Sequence, residues 1–229
     1  MHAETTALAT DDLTTPQGRR KAWWDFVVSD FAFLRPLFPN VKRIDADFFT
    51  TSQPWPFQLK AWRDRGLQTV IDLRGSHDRL GGAIEDAACE QLGLTLVEAP
   101  LKSRDVPTAQ QVRAIKLMFE TIRYPALAHC KSGADRAGLL AVLYRHFRLG
   151  EPIEQAMAEL GFMRRGHFKA GKAGVLDYTF ERYLSDGKSQ GLSFLEWVES
   201  PAYDPKAIKA AFKASWWGTL LSDRLLRRE

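Results

Sequence analysis

Cysteine is scarce in this chain: Cys89 and Cys130 are the two present in 229 residues. Two widely separated cysteines exclude a disulfide framework and a cysteine-built zinc site, and a reducing compartment is the expectation. Long apolar runs are missing too, since no stretch approaches the ~18 apolar residues of a membrane span. Met1 to Pro16 is acidic and hydroxyl-rich, without the basic start and apolar run of a secretory signal. No internal repeat is visible. A cytoplasmic protein is expected, with association at a membrane surface left open. With 45% apolar and 26% charged residues the chain can bury one good-sized core. Its net charge of +4 suits an anionic partner without choosing among nucleic acid, phospholipid and phosphorylated substrates.

What is there reads as alternating strands and helices. Residues 1–18 read as a flexible lead. From Arg19 to Phe38, aromatic and aliphatic residues are packed among Arg19, Arg20, Lys21 and Arg35; this segment either covers an apolar face of the core or offers a basic aromatic surface to lipid or protein. Asn40 to Thr51 suggests a short antiparallel pair, and Pro56 to Arg65 a helix closed by Gly66. The β-branched run Leu67 to Leu73 is a strand between Gly66 and Gly75, Ala83 to Leu92 a helix, and Leu94 to Val97 the next strand. A helix with Pro107 in its first turn carries Val112, Ile115, Phe119 and Ile122 on one face. A strand from Ala126 to Ala128 then leads to Cys130. Helical crossovers of this length imply a mostly parallel sheet of four to five strands flanked by helices, whose ligands bind beyond the carboxyl ends of the strands.

The stretch Ala128-His129-Cys130-Lys131-Ser132-Gly133-Ala134-Asp135-Arg136-Ala137-Gly138 sits at such an end. A loop that wraps a phosphate aims successive backbone N–H groups inward, and the positive end of the following helix completes the nest. Gly133 suits the unusual backbone angles this requires, and Gly138 suits close packing at the helix start. Helix N-termini and cationic neighbours favour the thiolate form of a cysteine, so Cys130 is the candidate nucleophile. Arg136 offers a planar fork for two phosphoryl oxygens, which a lysine would not reproduce. The expected phosphate ligands are Lys131, Ser132, Gly133, Ala134 and Asp135, mainly through backbone. His129 is expected to orient Cys130 through backbone hydrogen bonds.

His129 to Arg136, as His-Cys-x-x-Gly-x-x-Arg, resembles the signature loop of the cysteine-dependent protein tyrosine and dual-specificity phosphatases, and the order of elements from about 40 to 184 resembles their compact bacterial branch. The resemblance implies attack by Cys130 to form a phosphocysteine, then hydrolysis, with no metal and no cofactor. It also implies a general acid upstream. Asp105, in the loop after the second crossover strand, is the candidate, and Asp72, within a strand and near Arg74, is the runner-up with a structural role favoured. Two positions depart from the family. Ala137 stands where a Ser or Thr usually helps the thiolate leave, and Asp135 adds a negative charge to the cradle, either turned outward to organise the loop or discriminating against multiply charged substrates.

Beyond the loop, helices are expected from Leu139 to Leu149, from Pro152 to Gly161 and from Val175 to Leu184, with residues 185–203 rich in loop. Arg164 to Lys172 is read as a solvated turn or a contact for substrate anions, and Cys89 as a packing residue. From Asp204 onward six basic residues stand against three acidic ones, with Ile208, Phe212, Trp216, Leu220 and Leu221 at helical spacing. The expected layout is a phosphatase domain over 19–185 and a basic aromatic helical extension over 186–229. Substrate readings are a phosphoprotein, with tyrosine or dual specificity, or a phospholipid or other membrane-borne phosphate at an anionic membrane surface; nucleic acid is not expected. A phosphate-binding module without turnover and, more distantly, a sulfur transferase are the rivals.

Overall fold

The computed structural model describes residues 15–24, 27, 37, 39–75 and 80–226. Strands β1 (Lys42–Arg43), β2 (Phe48–Ser52), β3 (Thr69–Asp72), β4 (Thr95–Glu98) and β5 (Ala126–Cys130) form one sheet in the order β1-β2-β5-β3-β4. Only β1 and β2 run antiparallel; the other neighbours are parallel. The antiparallel pair expected between Asn40 and Thr51 is therefore present. Asp45 closes its turn by accepting hydrogen bonds from the backbone of Asp47 and Phe48 at 2.8 and 2.7 Å, the local turn chemistry to which aspartate is suited.

β5 is the central strand. Ala128 lies opposite Thr50 of β2 on one side and Ile71 of β3 on the other. β3 and β5 are buried along their whole length, as expected of parallel strands covered on both faces. α1 spans Pro16–Trp24, α2 Pro56–Arg63 and α3 Leu80–Leu92. One row across the sheet, Phe49, Leu127, Val70 and Leu96, packs with Leu59 of α2 and with Ala88 and Cys89 of α3 in a core cluster. Pro56 starts α2, and the Gln58 side chain accepts from the Trp55 backbone at 2.9 Å. Cys89 packs as expected: burial, with Glu85 and Asp86 nearby, pushes its thiol up to about 12, which leaves it inert.

The chain divides into two compact units, residues 1–101 with 122–133, and residues 102–121 with 134–229. The first holds the whole sheet with α1 to α3. The second is helical: α4 (Ala109–Thr121), α5 (Asp135–Leu149), α6 (Ile153–Ala156) continued by a 3-10 turn over Met157–Leu160, α7 (Phe162–Arg165), α8 (Val175–Arg182), α9 (Phe194–Glu199) and α10 (Pro205–Leu226). Within this unit Phe119 of α4 meets Tyr144 of α5 edge-on at 5.2 Å. Phe180, Tyr183, Phe194, Trp197 and Tyr203 form an aromatic cluster, with Trp197 and Tyr203 at 4.8 Å.

Three expectations are corrected here. Residues 185–203 are not mainly loop, because α9 is fixed by a capping box between Ser193 and Glu196 and buries Phe194, Trp197 and Val198. α4 starts after Pro107, with Thr108 as its cap: the Thr108 hydroxyl accepts from the Gln111 backbone at 3.2 Å and the Gln111 side chain accepts from the Thr108 backbone at 2.9 Å. α5 begins at Asp135, four residues earlier than the periodicity predicts, so the acidic residue and the arginine of the signature belong to its first turn. Of the expected flexible lead, residues 1–14 lie outside the described residues, and Pro16 to Gly18 are helical. Most of the aromatic segment after Trp24, and Arg227 and Arg228 of the tail, also lie outside them.

Candidate active site

β5 ends on Cys130, which is 2% exposed. The chain then turns through residues 131–134. Gly133 has φ +73, and a Cβ there would lie 2.8 Å from the backbone of Thr51 and Ser52. Both the angle and the contact demand glycine. The Ser132 carbonyl accepts from the Asn40 side chain at 3.0 Å, fixing the turn to the segment before β1. These residues belong to the first unit, while Ala134, Asp135 and Arg136 open α5 in the second. Ala137 is fully buried. Gly138 fits the expectation of close packing, since a Cβ there would lie 3.0 Å from Leu160 and 3.3 Å from Arg165.

His129 is fully buried, and its side chain does more than the backbone role expected for it. Its Nε2 lies 2.7 Å from Glu85 Oε1 on α3, and its Nδ1 3.9 Å from Asp72 Oδ1 on β3. Gln53 donates to the other Glu85 oxygen at 2.9 Å, and the Arg74 guanidinium donates to Gln53. Burial opposes a charged imidazole here, but Glu85 and then Asp72 outweigh it and shift the pKa of His129 upward. The His129 carbonyl accepts from Leu73 N–H at 2.9 Å, which ties the end of β5 to the residue after β3. Asp72 accepts from Arg74 N–H at 2.7 Å and is buried, in line with a structural role. Among the described residues, Asp72, Glu85 and His129 are the one group whose donor atoms lie close enough to share a metal ion. The two imidazole nitrogens face different carboxylates, which is the arrangement of an ion-pair network.

Asp105 lies between β4 and α4, half-exposed. Its Oδ1 accepts from Val106 N–H at 3.1 Å and stands 3.0 Å from Lys209 Nζ on α10. The same loop is fastened where the Tyr203 hydroxyl donates to the Pro107 carbonyl at 2.5 Å. A lysine on the candidate acid was not foreseen.

Asp135 is engaged by His167, from the Arg164 to Lys172 stretch. His167 is fully buried, with Nδ1 2.8 Å from Asp135 Oδ1 and Nε2 2.7 Å from Asp177 Oδ2 on α8. Burial works against charge on this imidazole, but Asp135 and Asp177 raise its pKa to about 9. The expectation of a solvated or substrate-facing segment over Arg164 to Lys172 is thus corrected for its middle. Arg165 is buried and binds Glu159 at 2.6 Å, and Arg164 and Arg145 each reach Glu159 at 2.7 Å. Burial opposes ionisation of Glu159, but these three guanidiniums hold its carboxyl below the usual range.

A mostly parallel sheet whose central strand ends on the cysteine of Cys-x5-Arg, with the arginine in the first turn of the next helix, defines a cysteine-dependent phosphatase of the tyrosine and dual-specificity class. More narrowly, residues 40–176 match the family described as DSP-PTPase phosphatase fused to NAD+ kinase, and the chain belongs to that family. No curated protein matches it. Among solved structures it is similar to a DUF442 protein of Shewanella putrefaciens CN-32, at 20% identity and TM-score 0.50 over 66% of this chain and 95% of that one. Tk-PTP in its active form gives 21% identity and TM-score 0.47 over 57% and 87%. A cysteine-to-serine variant of P. aeruginosa TpbA in complex with phosphotyrosine gives 17% and 0.48 over 77% and 91%.

Proposed function

We propose that this phosphatase hydrolyses phosphomonoesters of proteins, with tyrosine or dual specificity, through a phosphocysteine. The observation that carries the proposal is Cys130 at the carboxyl end of the central strand, followed by a turn that only Gly133 can make. The Cys130 thiolate attacks phosphorus, forming the S–P bond as the ester O–P bond breaks, and the leaving oxygen takes its proton from Asp105. Water then attacks phosphorus, giving a proton to the Asp105 carboxylate, as the P–S bond breaks and the thiolate and inorganic phosphate are released. The backbone of residues 131–136 and the Arg136 fork hold the phosphoryl oxygens as charge develops. Ala137 offers no hydroxyl to the departing thiolate, so the second step is the slower one. Asp105 serves as acid once its carboxyl is released by Lys209.

A membrane-borne phosphate is the second reading. It is favoured by Phe162, Met163 and Phe168, which are exposed within one seven-residue stretch, Met163 at 93%. No helix among the described residues is long and apolar enough to cross a membrane.

Turnover of an aryl phosphate tests the chemistry. Cys130→Ser is expected to abolish it, a loss of 10³-fold or more typical of removing a nucleophile, while phosphate binding persists. Equal and negligible turnover by both proteins would leave a phosphate-binding module. Comparing kcat/KM for phosphopeptides and for lipid phosphates in anionic vesicles then separates the two substrates.

A further inference from the structure

The phosphatase reading, on which this inference rests, meets an electrostatic obstacle in its own loop. Asp135 occupies the first turn of α5, one position before Arg136. A carboxylate there repels an incoming phosphate dianion and competes with it for the guanidinium.

The fold deals with that carboxylate through His167. A neutral imidazole carries one N–H and cannot donate to two carboxylates at once; only the doubly protonated ring satisfies both Asp135 at 2.8 Å and Asp177 at 2.7 Å. The ring is held from both sides of its own segment. Arg165, two residues earlier, is buried on Glu159, which is also gripped by Arg145 of α5. Gly166, with φ +74, then turns the chain so that His167 faces inward. The segment is therefore attached to α5 at its first turn through Asp135 and near its end through Arg145. The charged groups facing His167 are Asp135 from α5 and Asp177 from α8. Lys169, on its own segment, is paired with Glu181 at 2.5 Å.

We propose that His167, seated between Asp135 and Asp177, is the positioning residue of the phosphate loop. It draws the Asp135 carboxylate away from the anion position at the first turn of α5, so that this carboxylate does not oppose the phosphoryl group there. His167 touches neither substrate nor nucleophile in this role. The pKa of about 9 agrees with it: the bridge is complete below that pH and is lost as the imidazole deprotonates above it.

Titration calorimetry with inorganic phosphate on the full chain tests this, with His167→Gln, Asp135→Asn and the double variant. Freed from its partner, Asp135 should weaken phosphate binding about tenfold or more in His167→Gln. Asp135→Asn should recover most of that loss in the double variant, an outcome that a role confined to stability would not give. Wild-type affinity should fall as pH rises through about 9, and His167→Gln should lack that fall. If His167→Gln does not fold, as judged by circular dichroism, Asp177→Asn takes its place, with a smaller loss that Asp135→Asn again relieves. Phosphate affinity within twofold of wild type in a folded His167 or Asp177 variant overturns the proposal, as does failure of Asp135→Asn to relieve the loss. Either result leaves the phosphatase reading standing. A wild type that neither binds phosphate nor turns over an aryl phosphate overturns both.

Discussion

Two histidines, one in each unit, are fully buried among carboxylates, yet they are built differently. His167 is bridged almost symmetrically, with a short contact to an aspartate at each ring nitrogen. His129 has one short contact, to Glu85, and stands 3.9 Å from Asp72, which is turned toward the backbone of Arg74. In sequence His129 immediately precedes Cys130, and His167 reaches back to Asp135, beside Arg136. One imidazole fastens the end of a strand to a neighbouring helix; the other fastens the start of a helix. The comparison teaches that the two ends of the signature loop can be secured by the same chemistry in separate surroundings, and that the number of short bridges sets how much each anchor depends on one partner.

Removing Glu85 breaks the comparison most severely. His129 has a single close carboxylate, so Glu85→Ala should leave a buried imidazole uncompensated and lower the unfolding free energy by about 3–5 kcal/mol, measured in urea. A loss below about 1 kcal/mol would show that Asp72 can take over and that the two anchors are alike.

Stability against pH sharpens it next. The folded pKa of His167 is about 9, above the ordinary 6.5, so its contribution is fully present below pH 6.5 and is lost as pH rises through about 9. The unfolding free energy of wild type should therefore decline across that window, and His167→Gln should flatten the decline. The pKa of His129 is shifted in the same direction, so whatever slope persists in His167→Gln should disappear when Glu85 is also replaced. A wild-type curve level from pH 6.5 to 9 would contradict the assignment of charge to both rings.

The smallest effect is expected from the half-exposed pair that serves as a contrast to both. Lys209 and Asp105 are each 32% exposed, and solvent screens such pairs to within about 1 kcal/mol. Lys209→Ala should barely move the urea midpoint while raising kcat/KM on an aryl phosphate a few-fold, because Asp105, the proposed acid of the first step, is released. A lower kcat/KM would mean that Lys209 orients Asp105.

Much of the sheet was legible because Thr69 to Asp72 and Ala126 to Cys130 are short, apolar and bounded by turn residues, and because helices of crossover length separate them. The reactive loop was legible because its spacing is covalent: Cys130, Gly133 and Arg136 lie within one turn of chain. The anchors were not. Arg164 and Arg165 are adjacent in sequence, yet one is exposed and the other buried on Glu159, and nothing local distinguishes them. Asp177 and His167 are ten residues apart, and their 2.7 Å contact depends on the tertiary path between them. Glu85 did leave a trace, as a lone acid on the face of α3 that carries Ala88 and Cys89. α9 was readable from Ser193 and Glu196 as a capping box, but six residues give too little periodicity to notice.

The fastening of the Asp105 loop has a consequence for biosynthesis. The Tyr203 hydroxyl that holds Pro107 comes from a residue 96 positions further along the chain, and Lys209 follows it. Asp105, Cys130 and Arg136 are all synthesised well before Tyr203 and Lys209. During translation Cys130 therefore emerges before the side chains that hold the Asp105 loop in place.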